Sequence, residues 1–111
     1  MVGPNGWILN VCSFTQPEHG SAFRGGDISA THVDTPRQTH RLFNTSTRDV
    51  AGIPAALAFG PDGALYVTDE GRRSIVRVDP RGGITDFVQG FGGCPLNGPN
   101  DLSFDPDGNL F

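Results

Sequence analysis

The chain has 111 residues, a formal net charge of −4, and no lysine among its 8 basic residues. With no basic run for phosphates to sit against, the composition gives no support for nucleic-acid binding. No apolar stretch approaches the length of a membrane-spanning helix.

Residues 1–5 lack the charged-then-apolar pattern of a signal peptide, so a cytoplasmic location is expected. Cys12 and Cys94 are far apart and in no ligand spacing, and they read as unrelated thiols rather than a disulfide. Glycine and proline, 16 and 9 residues, fall at turn-like intervals, which favours many short strands over disorder.

Trp7-Ile8-Leu9-Asn10-Val11, directly after Asn5-Gly6, predicts a strand leaving a tight turn. Residues 13–26 form a polar, turn-rich insertion, residues 27–33 a second strand, and residues 38–44 an outer strand. On this register Met1 falls where an inner strand has already ended. From Val50 onward the pattern is clearer. Ala56-Leu57-Ala58-Phe59 is a short apolar strand closed by Gly60-Pro61-Asp62-Gly63. Asp-Gly favours a tight turn because glycine tolerates positive φ. Residues 64–68, 74–78 and 84–88 are three further strands rich in β-favouring side chains. Polar turns at residues 69–73, with Arg72-Arg73 as a solvated tip, and at residues 79–83 separate them. Four short strands about ten residues apart, with no helical periodicity, make one antiparallel meander, the blade of a β-propeller.

The chain also repeats itself. Pro54-Ala55-Ala56-Leu57-Ala58-Phe59-Gly60-Pro61-Asp62-Gly63-Ala64-Leu65-Tyr66 returns forty-five positions later as Pro99-Asn100-Asp101-Leu102-Ser103-Phe104-Asp105-Pro106-Asp107-Gly108-Asn109-Leu110-Phe111. A period of this size is a sign of propeller blades or solenoid units. The expected fold is therefore all-β, a partial β-propeller of about two and a half four-stranded blades. Residues 1–49 would be an incomplete first blade with a polar insertion, residues 50–98 a complete blade, and residues 99–111 the start of the next. On this register the chain reads as cut at both ends. Unclosed blades leave strand edges and apolar faces open, so the isolated chain is expected to be unstable and inactive by itself.

Residues 50–111 resemble the SMP-30/gluconolactonase/LRE-like (regucalcin-like) family. The resemblance is carried by Ala58-Phe59-Gly60-Pro61-Asp62-Gly63-Ala64-Leu65-Tyr66-Val67-Thr68-Asp69, by Ile75-Val76-Arg77-Val78, and above all by Leu96-Asn97-Gly98-Pro99-Asn100-Asp101-Leu102. It implies a six-bladed propeller and a metal-dependent hydrolase of sugar lactones or related esters. The implied cofactor is Ca2+ or another divalent metal such as Mg2+, Mn2+ or Zn2+, and the implied partner is a small-molecule lactone. In that family the ion is held by a Glu, Asn residues and an Asp from different blades.

Asn100 stands at the position of one such Asn ligand, and an Asn carbonyl gives a hard cation an oxygen donor without adding charge. The alternative for Asn100 is a turn cap after Pro99. Asp101 beside it is expected to hydrogen-bond the loop behind the ligand. The matching place in the earlier unit is Ala55-Ala56, which cannot ligate. Glu18, in Pro17-Glu18-His19-Gly20, loosely echoes the family's first-blade Glu. The better register, however, leaves it in the inserted surface loop. The Asp that serves as ligand and base belongs to later blades.

Other patterns fail. Asp105-Pro106-Asp107-Gly108-Asn109 places its glycine two positions early for an EF-hand loop and lacks the distal Glu. Gly90-Phe91-Gly92-Gly93 lacks the third glycine of a dinucleotide fingerprint. His19, His32 and His40 show no zinc spacing. The rival to a lactonase is a non-catalytic propeller module that binds a protein or ligand, since one fold serves many functions.

Overall fold

A computed structural model describes residues 1–12 and 25–111. Its strands are β1 (Trp7–Cys12), β2 (Asp27–His32), β3 (Thr39–Asn44), β4 (Pro54–Phe59), β5 (Leu65–Asp69), β6 (Ser74–Val78), β7 (Ile84–Val88), β8 (Gly90–Phe91) and β9 (Cys94–Pro95). Strands β1-β2-β3 form one antiparallel sheet and β4-β5-β6-β7 a second, each in chain order, while β8 and β9 pair as a small hairpin. Chain-order antiparallel sheets are meanders, and the fold is that of a partial propeller, all-β as the strand pattern requires.

One hairpin, made three times, explains why the sheets repeat. Phe59 pairs with Leu65 across Gly60-Pro61-Asp62-Gly63, and Phe104 bridges Leu110 across Asp105-Pro106-Asp107-Gly108. In both, the fourth residue's N–H reaches the first residue's carbonyl at 3.0 Å, as in a β-turn with proline at its second position. The closing glycines take φ of 77° and 87°, a region costly for any side chain. Gly3-Pro4-Asn5-Gly6 makes the first of the three in chain order: Val2 bridges Ile8, and the backbones of Met1 and Leu9 exchange hydrogen bonds. Here Asn5 as well as Gly6 has positive φ. This corrects the expectation that the inner strand ends before Met1, since Met1 and Val2 still lie in register with β1. The matching glycines, Gly6, Gly63 and Gly108, are spaced fifty-seven and then forty-five residues apart, so the extra length falls between the first two copies.

The sheets stack face to face. Leu9 and Ile28 of the first sheet pack against Leu65, Val67, Val76 and Val78 of the second, with Val11, Phe43, Leu57 and Ile84 around them. The opposite face of the second sheet presents Ala64 and Tyr66 to Leu102, Phe104 and Leu110 of the third hairpin. With both faces covered, every residue of β5 is buried, and Val67, Val76 and Ile28 are wholly so. Each of those three side chains contributes about 1.5–3 kcal/mol by leaving water. Tyr66 is held edge-on between Phe87 and Phe104, with ring centroids 5.1 and 5.0 Å away. Its hydroxyl donates to Asp62 Oδ2 at 3.0 Å.

The turn after β5 differs from the solvated tip that its polar residues suggest. Asp69 is completely buried, and the Arg72 side chain keeps only 11% of its exposure. Asp69 Oδ1 accepts from the Ile53 and Arg72 amides at 3.0 and 2.9 Å, and Oδ2 from the Thr45 hydroxyl at 2.5 Å. Arg72 donates to the Thr45 carbonyl at 2.9 Å and pairs with Asp86, which also accepts from Ser74. The polar string is thus a clasp between the two sheets, and a polar group survives burial only when so satisfied. The β8–β9 hairpin is the other departure from expectation. Its two-residue strands and Gly92-Gly93 tip are too short for an alternating pattern to show.

Among the described residues, four carboxyls are held below their ordinary value of 3.8. Arg77's hydrogen bond lowers Asp62, the Gly83 and Arg81 amides lower Asp79, Arg72 and then Ser74 lower Asp86, and Asn109 lowers Asp105. A carboxyl with a depressed folded pKa stabilises the fold above its unfolded value, and that contribution is lost as pH falls through the folded one. Stability to urea is therefore expected to hold steady above about pH 4 and to decline only below it, as these four protonate. A midpoint already falling between pH 7 and 5 would mean that other groups control acid unfolding.

Candidate functional site

Asn100 follows Pro99 at the entry to the third hairpin and reaches back to the second sheet with both its backbone and its side chain. The hydroxyl of Thr68, itself buried in β5, accepts from the Ala56 amide at 2.9 Å and donates to the Asn100 carbonyl at 3.2 Å. One residue past β5, the Glu70 amide donates to the Ile53 carbonyl at 2.9 Å. Its Oε1 accepts from Asn100 Nδ2 at 2.7 Å. The clasp around Asp69 fixes the turn that carries Glu70, so packing between the sheets sets where Asn100 lies.

Asn100 Nδ2 is therefore occupied. Among the described residues Asn100 Oδ1 accepts no hydrogen bond, and neither does Glu70 Oε2. Asn100 is exposed to solvent. A free amide oxygen is a hard donor of the kind that calcium or magnesium takes, and it does not suit a thiophilic metal. Calcium takes about six to eight oxygen ligands. Among the described residues no three His, Cys, Asp or Glu side chains gather as a metal site, so Asn100 Oδ1 would supply one ligand of such a shell.

The other expected residues fall apart from this pair. Asp101 is exposed, and its Oδ1 accepts from the Leu102 amide at 2.9 Å, within its own loop. Glu18 lies outside the described residues. Glu70 is the functional candidate that sequence reasoning passed over. It looks like one more polar residue of a turn, and only the thirty-residue reach to Asn100 singles it out.

The matching place in the previous unit contrasts chemically. Ala55 lines a groove of about 280 Å³ with Met1, Leu9, Val11, Ala56 and Leu57, whose side chains offer no oxygen ligand. A second hollow, about 290 Å³, lies at the β8–β9 hairpin among Gln89, Gly90, Phe91 and Gly93 and holds no charged group. No helix among the described residues is long and apolar enough to cross a membrane.

No protein-family model matches the chain. A curated protein described as a gluconolactonase, from Zymomonas mobilis subsp. mobilis, is 39% identical to it over 56 residues. The match covers 47% of this chain and 15% of that protein, so the chain spans a small part of the relative's length.

Proposed function

We propose that the chain is part of a lactonase-like hydrolase of the SMP-30/gluconolactonase kind, acting on a small-molecule lactone with a divalent cation, Ca2+ in the first instance. The observation that carries this reading is the fixed amide of Asn100, whose Nδ2 is taken up by Glu70 while Oδ1 stays available. The similarity to a gluconolactonase over 47% of the chain supports the substrate class.

Within this reading Asn100 would give the cation one neutral oxygen, with Glu70 beside it and Thr68 holding the backbone. A bound divalent cation supplies Lewis-acid polarisation of the carbonyl under attack. Water adds to the lactone carbonyl carbon, the ring C–O bond breaks, and the product is the open hydroxy acid. The residue that takes the water's proton lies beyond the described pair.

The test is made on the full-length protein. Chelation is expected to abolish lactone hydrolysis and added calcium to restore it. Asn100→Ala should weaken calcium binding by about 100-fold or more, since losing a ligand costs a metal site at least what losing an outer partner does. Hydrolysis that survives both chelation and Asn100→Ala would remove the metal reading. Absence of both lactone turnover and calcium binding in the unaltered protein would favour a non-catalytic propeller module instead.

A further inference from the structure

We propose that Glu70 is a positioning residue for Asn100: its carboxylate sets which end of the amide is presented, so that Oδ1 is the atom offered to a cation. This rests on the reading of Asn100 as a ligand and adds to it the device that makes that ligand work.

An asparagine amide has two nearly isosteric ends of opposite character, a carbonyl oxygen that accepts and an NH2 that donates. At a cation site one orientation attracts the ion and the other repels it. A solvent-exposed Asn has no intrinsic reason to prefer either. An ionised carboxylate only accepts, so beside the amide it bonds Nδ2 and rejects Oδ1. The Glu70–Asn100 separation of 2.7 Å is that of a charge-assisted hydrogen bond.

Glu70 is itself held. Its amide is tied to the Ile53 carbonyl, and Asp69 before it is locked by the Ile53 and Arg72 amides. The backbone of Asn100 is fixed separately by Thr68. Two contacts, one to the main chain and one to the side chain, thus leave the amide oxygen as the only unspent polar atom of that side chain among the described residues. An exposed hydrogen bond of this kind adds little to stability, so its value would lie in orientation.

The test is calcium titration by calorimetry on the full-length protein, comparing Glu70→Ala, Glu70→Gln, Asn100→Ala and the double variant Glu70→Ala/Asn100→Ala. Gln keeps the side-chain length but carries a donor as well as an acceptor, so it can meet either end of the Asn100 amide. Glu70→Ala and Glu70→Gln are both expected to weaken calcium binding, Glu70→Ala by about tenfold or more, and unaltered affinity in Glu70→Gln would overturn the proposal. In the Asn100→Ala background, Glu70→Ala should have no further effect, because the two act as one unit. A further loss from Glu70→Ala in that background would overturn the proposal in favour of Glu70 as a direct ligand. Unchanged binding in Glu70→Ala, with Asn100→Ala impaired, would overturn it while sparing the ligand role of Asn100. No effect of Asn100→Ala would instead remove the reading on which it rests.

Discussion

Asp69→Ala is expected to destabilise the protein by about 3–5 kcal/mol, because a buried donor left without an acceptor costs about 1–3 kcal/mol, two amides are left so and a third donor loses its better acceptor. The carboxylate sits at the end of β5 with no exposure. It receives the Ile53 amide from the approach to β4, the Arg72 amide from the next turn, and the Thr45 hydroxyl from the end of the first sheet. Alanine removes the common acceptor, and the wholly buried Thr45 keeps only its weaker 3.4 Å contact with the Gly26 carbonyl. Asp69→Asn should cost less, about 1–2 kcal/mol. Its Oδ1 can still serve both amides, and its NH2 can donate to the Thr45 oxygen. Urea titration at constant m reads the difference directly. If Asp69→Ala and Asp69→Asn shifted the midpoint equally, the negative charge rather than the set of hydrogen bonds would hold the clasp.

The fold was legible because its signals are local. Pro61 with Gly63 and Pro106 with Gly108 announce hairpins, and runs such as Ser74 to Val78 alternate so that every second residue, Val76 and Val78 among them, meets the core. The clasp and the candidate site were less legible because they are made by partners distant in sequence. Asp69 next to Glu70, Gly71, Arg72 and Arg73 has the composition of a solvated turn. Only Thr45, twenty-four residues earlier, and Asp86, fourteen after Arg72, turn it into a buried network. Asn100 could be singled out because it stands in the Leu96 to Leu102 stretch that carries the family resemblance, and Ala55 in the earlier unit gives a contrast at the same place. Glu70 had no such contrast, and its meaning depends on a contact thirty residues away.

Gly71→Ala should cost about 3 kcal/mol, at the upper end of what overpacking a close contact costs, and should also weaken cation binding. A Cβ on Gly71 would overlap the Ala51 carbonyl oxygen and stand 3.1 Å from the Ile53 nitrogen. Both are neighbours that cannot swing aside as the end of a long side chain would. The turn would have to lift off residues 51–53. That strains the Glu70 amide's bond to the Ile53 carbonyl and the Ile53 amide's bond to Asp69. Since Glu70 orients Asn100, the displacement should carry through to the amide and lower calcium affinity with stability. Gly63→Ala is the control. Its φ of 77° penalises any side chain, yet nothing lies within 4 Å of the added Cβ, so the cost is backbone strain of about 1–2 kcal/mol. That hairpin lies at the other end of β5, and calcium binding should not change. Equal destabilisation by the two variants would mean that the close approach at Gly71 relaxes easily. Loss of stability without loss of calcium affinity in Gly71→Ala would separate the clasp from the site it is argued to position.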